Sequence, residues 1–352
     1  MEKLSIKTPD DFIALMGHSL GFWPQESLVC MVLDGRRIGA SLRVNLPSPT
    51  TNTARYTDQL LHYITTDHQA TGVVFGIFTH APWNPGDPRP HEDMLNEFTR
   101  RLGGEGITVR DGWLIGETTF TNYLHLNSGR PTQHSLEGIR GSQLNAELVF
   151  RGSSIDNSPG FHVPVTATAD LSHEVLRHCY RIEAMNPQDA TAQARELWGR
   201  MLDGGANPTD DEAAELIAYL KFITVRDRLL ADIPGIDESM RDLLLGQTRQ
   251  SPHWQRVDRA TQVLFHLYMR ADGVDAAPVL TSLGVIQWWE GHGSKAHECF
   301  QQALEADPDY RLAQLTDHLV RDGILADWAT NRQNAYQPPH TRGPEIGGMG
   351  MA

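Results

Sequence analysis

The chain has 352 residues, more than one hydrophobic core usually serves, so two domains are expected. Hydrophobic residues make up 40% and charged residues 21%, an ordinary globular balance, and no apolar run approaches the roughly 20 residues that span a bilayer. The formal net charge is −14, and Arg36-Arg37 and Arg100-Arg101 are isolated pairs rather than a basic stripe, which argues against a nucleic-acid partner.

The opening MEKLSIKTPDDF has no apolar h-region of the signal-peptide kind. Cys30, Cys179 and Cys299 stand far apart in apolar contexts. A cytoplasmic protein without disulfides is the expectation. Residues 3–7 alternate like a short strand. TPDDFIALM then reads as a helix start, with Thr8 as N-cap, Pro9 at the first helical position and Asp11 completing a capping box. Two apolar, β-rich runs flank Asp34-Gly35, a hairpin signal. Leu60, Leu61 and Ile64 share a helical face, and residues 71–79 form a near-continuous apolar run suited to a strand covered on both sides. Met94, Leu95, Phe98 and Leu102 mark another helix, and GITVRDGWLI and TTFTNYLHL read as further strands. Residues 1–135 are therefore expected to form an α/β domain with a mixed sheet, in which the 37–46 strand, its helix and the 72–79 strand make a right-handed βαβ unit.

From about residue 138 the period becomes helical. Leu171, Val175, Cys179 and Ile182 form one stripe, Ala190, Ala194, Leu197 and Met201 another, and Val257, Ala260, Leu264 and Leu267 a third. Thr209 and Glu212 make a second capping box. Residues 136–328 are expected to be an all-α domain and residues 329–352, rich in Pro and Gly, a disordered tail. Residues 277–310 carry the spacing of one tetratricopeptide-like hairpin at Leu283-Gly284, Gly291, Ala296, Phe300, Ala303 and Pro308. Small residues at 284 and 296 let two helices close, Phe300 and Trp288 fill the contact, and residues 311–323 supply a capping helix.

Two motifs invite catalytic readings and fail them. Gly17-His18-Ser19-Leu20-Gly21 matches the nucleophile elbow, but a helix precedes it and Pro24 and a strand follow, the reverse of the order that exposes such a serine. His173 and His178 resemble a zinc helix with one residue too many, which turns the two rings about 140° apart. No phosphate-binding glycine loop stands between a strand and a helix. No catalytic residue, metal site or cofactor is expected.

Four stretches together carry a resemblance: LGFWPQESLV (20–29), RIGASLRVNLP (37–47), VRD (225–227) and WWEGHGSKAHECFQQALEADPDYRLAQL. On them the chain resembles an actinobacterial family of unknown function, domain of unknown function 4192, across residues 5–325. The resemblance implies structural roles for Leu20, Gly21, Phe22, Pro24, Ser27, Pro47, Arg226 and Asp227, and no activity or substrate. Gly17 stands where the family usually has proline, and Asn45 where it usually has aspartate. Ser27 and Glu26 are expected to fix the turn before the first hairpin strand.

Two functions remain open. One is an interaction or regulatory protein that docks a protein partner on the helical domain. The other is a small-molecule site beyond the carboxyl ends of the strands, where loops 47–52 and 80–91 would meet. Arg43 and Asn45 alternate on one strand face toward that edge, Arg43 for an anion, and His80, Trp83, Asp87 and His91 would complete the pocket, with His80 or His91 moving a proton.

Overall fold

A computed structural model describes residues 6, 8–35, 37–48, 50–66, 69–84, 87–126, 132–150, 155, 171–330 and 333–336. The strand expected at 3–7 lies outside them apart from Ile6. The chain separates into two compact units, Met1–Pro159 and Gly160–Arg342.

The first unit opens with α1 (Pro9–Leu20) behind the expected capping box: Asp11 N donates to Thr8 Oγ1 and Thr8 N to Asp11 Oδ2, each at 3.2 Å. The helix runs further than its sequence suggests and stops at Gly21, whose left-handed φ of 74° closes it. Ser19 sits in its last turn and donates to the Met16 carbonyl (3.0 Å), so the elbow motif is helix. β1 (Ser27–Asp34) and β2 (Arg37–Asn45) form the hairpin around Gly35. α2 (Thr53–Thr65), β3 (Gly72–Phe78), α3 (Glu92–Gly104), β4 (Thr108–Ile115), β5 (Thr119–Asn122) and β6 (Gln133–Ser135) follow.

The six strands order as β2-β1-β3-β4-β5-β6, a mixed sheet in which only β3 and β4 pair in parallel. The expected βαβ unit is present in split form: β2 and β3 point the same way with α2 between them in the chain, and β1 lies between them in the sheet. The adjacent parallel unit is β3-α3-β4. α2 and α3 share one face of the sheet, where Leu60, Ile64, Met94 and Phe98 meet Leu28, Cys30 and Phe75. α1 covers the other with Ile13, Ala14 and Met16 against Val29, Met31 and Val74. β3 is buried along its length, as its apolar run requires. The strand read at 118–126 ends at Asn122, whose side chain accepts the Leu124 N–H (3.0 Å) and turns residues 123–125 into a 3₁₀ helix.

α4 (Glu137–Arg140) and α5 (Gln143–Phe150) cluster with this unit. Ile139 packs among the α1-side core residues, and Asn145 Oδ1 hydrogen-bonds His18 of α1 at 2.9 Å.

The second unit contains α6 (Ser172–Glu183), α7 (Pro187–Gly204), α8 (Asp210–Lys221), α9 (Ile223–Asp232), α10 (Met240–Leu244), α11 (Trp254–Tyr268), α12 (Ala276–Trp289), α13 (Gly293–Ala306), α14 (Arg311–Arg321) and α15 (Asp327–Thr330). The three sequence stripes are buried in its core. Arg177 pairs with Asp211 and Arg181 with Glu215, so α6 and α8 run parallel. α12 and α13 form the helical hairpin. Gly284 makes it possible: a Cβ there would lie 2.4 Å from Phe300 Cε1. Trp288 is buried in the same core and donates its indole N–H to the Ile324 carbonyl (2.7 Å).

Of the tail expected from residue 329, residues 329, 330 and 333–336 are described. Trp328 is fully buried and its indole donates to Thr248 Oγ1 (2.8 Å). Trp254 donates to the Asn334 carbonyl (2.9 Å), and the Tyr336 hydroxyl to Asp258 Oδ1 (2.7 Å). Asn334 and Tyr336 are thus held to α11. Residues 337–352 lie outside the described ones.

Candidate functional site

The shared direction of β2, β3 and β4 brings Asn45, Phe78 and Ile115 to one edge of the sheet, where β1 begins at Ser27. The turn from Gly21 to Glu26 enters this edge with Phe22 and Pro24 buried. Glu26 holds a left-handed φ of 41°, unusual for a residue with a side chain. Its carboxylate accepts the His80 N–H (2.7 Å) and the Thr79 hydroxyl (3.1 Å), while its carbonyl accepts the Leu46 N–H (2.9 Å). One residue therefore fastens the exits of both β2 and β3.

The candidate ligand residues are built into this frame. Arg43 donates through Nε to Ser27 Oγ (2.9 Å) and lays its guanidinium 5.9 Å from the Phe22 ring centre. Ser27 is fully buried and donates to the Gln25 carbonyl (2.5 Å). Asn45 is exposed, and its carbonyl accepts the Tyr56 hydroxyl (2.7 Å), whose pKa burial raises. His80 Nδ1 lies 2.9 Å from Glu117 Oε1, an exposed pair. Trp83 donates to the Asp87 carbonyl (3.3 Å), and Asp87 Oδ2 accepts the Asn84 N–H (2.9 Å), closing the loop on itself. His91 precedes α3 with a φ of 55°. Burial holds its imidazole below the usual histidine range, against the charge of Glu26.

The six residues do not converge. Arg43 pairs across the ladder with Val29 on the α1 face, whereas Trp83 packs against the α2–α3 face, so the sheet separates them. The crossovers through α2 and α3 lie on one face and proceed in one direction, which leaves no reversal point to open a crevice. His80 and His91 gather instead around Glu26 and Glu117. The turn role of Glu26 was readable, but its reach to Thr79 and the Glu117–His80 pair arise from strand pairing and have no local sequence signal.

In the helical unit, the VRD stretch joins α9 to the start of α14. Arg226 is buried, bonds Asp227 Oδ1 through Nε and Nη2 (2.9 and 2.7 Å), and donates from Nη1 to the Tyr310 hydroxyl (3.0 Å). His297 and Gln301 of α13 hold the buried Asp317 carboxylate of α14 at 2.5 and 3.0 Å. α14 is thus fixed on one side by polar contacts. Away from these contacts α14 carries Leu315 and Leu319 at helical spacing; Leu315 is 47% exposed, while Leu312 packs against the helical core. The stripe continues past the helix end. Gly323, at φ 71°, closes a Schellman turn in which Ile324 N donates to the Leu319 carbonyl (3.0 Å), and Ile324 and Leu325 are 48% and 45% exposed. Arg311 and His318 border the stripe.

All three cysteines are free and buried, and full burial pushes the Cys30 thiol up to about 12, far from a reactive thiolate. Among the described residues, no group of three or more His, Cys, Asp or Glu is placed to hold a metal ion, and no helix is long and apolar enough to cross a membrane. These features define a two-unit protein: a mixed-sheet α/β unit with a stapled carboxyl edge, and a mostly helical unit with an apolar outer stripe. The chain belongs to the family described as Domain of unknown function (DUF4192), whose model matches residues 9–326. A search of the curated proteins found no match, and neither did a search of the solved structures.

Proposed function

We propose that the protein is an interaction module whose helical unit docks a protein partner on the outer side of α14. The observation that carries this reading is the stripe Leu315, Leu319, Ile324 and Leu325 at the surface, on a segment fixed from behind by the Trp288 and His297 contacts. A rigid, prepositioned apolar surface loses little entropy on binding. The border of Arg311 and His318, in a chain of net charge −14, complements an amphipathic partner helix whose apolar face is flanked by carboxylates.

The tetratricopeptide-like spacing of residues 277–310 supports a docking role, with one change in where it acts. Every residue of α12 is buried, so the inner helix of that hairpin has no free face for a groove. The outer helix that follows it is the available surface. The small-molecule alternative at the sheet edge draws less support, because Arg43, Trp83 and Asp87 are engaged within the chain.

Photo-crosslinking from position 315 in the cells that make the protein tests the reading. The expected product joins the chain to one acidic amphipathic helix of a different protein, and the purified partner then binds directly. Leu319→Glu abolishes both signals, while Leu176→Glu, on an exposed face of α6, leaves them intact. Crosslinks confined to the chain itself, to a second copy, or spread over unrelated proteins overturn it.

A further inference from the structure

The helical unit also holds a feature that the docking stripe does not use. Leu202, Asp203, Gly235, His253, Gln255 and Arg256 line a depression of about 640 Å³, within the size range of small-molecule sites. Three segments build it: the end of α7, the turn after α9 and the start of α11. Gly235 makes their approach possible. Its φ is 69°, and a Cβ would stand 3.0 Å from both His253 Nδ1 and Arg256 Cδ. His253 N donates to the Pro234 carbonyl (3.0 Å), which fixes that corner.

Arg256 is the cation of the depression. Its side chain is only 20% exposed, and its Nη1 pairs with the carboxylate of Asp203. Asp203 itself is 71% exposed, so this carboxylate reaches in from solvent and an anion of higher charge can take its place. The other nearby acid does not compete for Arg256: the Asp232 carboxylate is held by Arg195 and Arg228, and Arg256 Nε approaches only its main-chain oxygen, at 3.4 Å. Three arginines therefore face two aspartates at this place in a chain of net charge −14.

We infer that the depression binds a small phosphomonoester. The guanidinium fork of Arg256 suits two phosphate oxygens, and the His253 ring and the Gln255 amide supply further donors along the same wall. Asp203 is the internal occupant that the phosphate displaces. A phosphate dianion carries more charge and more acceptor oxygens than the carboxylate it replaces, which sets the direction of exchange.

Calorimetric titration of the full chain with inorganic phosphate and with ribose 5-phosphate, at constant ionic strength, tests this. The parent protein is expected to bind ribose 5-phosphate saturably. Asp203→Asn, which removes the internal competitor at an exposed position, tightens binding about five-fold, while Asp309→Asn makes the same charge change elsewhere and leaves it unaltered. Arg256→Gln weakens binding at least about ten-fold, and His253→Ala gives a second, smaller loss should the Arg256 variant unfold. Absence of binding in both the parent and Asp203→Asn overturns the proposal. So does a gain matched by Asp309→Asn, which would mark general charge repulsion rather than a competitor in the site.

Discussion

The two units treat their exposed chemistry in opposite ways. At the carboxyl edge of the sheet, polar side chains are spent on one another: Glu26 on Thr79 and His80, Arg43 on Ser27, Asp87 on its own loop. In the helical unit the polar contacts lie behind α14, and apolar residues remain outside. A polar group whose partner cannot swing into water, as Arg43 on the buried Ser27, gains little from a ligand, because binding only exchanges one hydrogen bond for another; Arg256 differs because its partner Asp203 is 71% exposed. An exposed leucine held in place gains the full benefit of losing water. The edge that looks more like an active site is therefore the worse candidate, and the plainer helical face the better one.

The sharpest break in this comparison comes from the Trp328 anchor. Its ring centre lies 5.5 Å from that of Trp289 and 6.3 Å from that of Trp254. Trp328→Ala is expected to cost about 3–5 kcal/mol, the range for truncating a buried tryptophan. Denaturant unfolding followed by circular dichroism should show the helical transition moving to lower denaturant while the sheet transition stays. A common shift of both would mean that the units unfold as one, and the comparison would lose its basis.

A matched pair of glycine substitutions sharpens it next. Gly112 and Gly284 each sit under an aromatic ring, with a Cβ falling 2.3 Å from Phe75 Cζ and 2.4 Å from Phe300 Cε1. Gly112→Ala and Gly284→Ala are each expected to cost about 1–3 kcal/mol through overpacking. Each should lower only its own unit's transition.

How much of this was legible follows from the range of each signal. Both capping boxes, the Asp34-Gly35 hairpin and the buried stripes act within a few residues, and the structure contains them. Periodicity showed that residues 137–150 are helical but could not say which core they join, and α4 and α5 went to α1. Likewise, nothing local says that β1 inserts between β2 and β3. No Pro or Gly within residues 210–232 marks a helix end at Phe222. Yet its extended ψ of 113° breaks the run into α8 and α9. At the edge, the six candidate residues were chosen by loop position and strand alternation. Alternation puts Arg43 and Asn45 on one face of β2, but the face that Trp83 joins depends on packing with the α2–α3 core.

The strain at Glu26 allows a smaller test of the stapled edge. Glu26→Ala removes the carboxylate contacts and keeps a side chain at positive φ, for an expected loss of about 1–2 kcal/mol. Glu26→Gly loses the same contacts but relieves the backbone, and should be more stable than the alanine variant by about 1 kcal/mol. Equal stabilities in urea titrations would show that the turn carries no strain.

The smallest effect is pH. Burial lowers the imidazole pKa of His18 and His91 in the sheet unit and of His266 in the helical unit. The Asn145 contact opposes the shift at His18, and the charge of Glu26 opposes it at His91. Below the ordinary histidine value of 6.5, the unfolded chain takes up protons at these positions before the folded chain does. Stability therefore rises with pH in that window. The contribution is fully present above 6.5 and is lost as pH falls toward the folded values, at no more than about 1.4 kcal/mol per pH unit for each group. Two such groups lie in the sheet unit and one in the helical unit, so the sheet transition should fall further between pH 7.5 and 5.5. His18→Gln, which keeps a partner for Asn145, should flatten the sheet response and leave the helical one unchanged. If the sheet response keeps its slope in that variant, the stapled edge at Glu26 and His91, rather than the α1–α5 contact, sets the pH sensitivity of the unit.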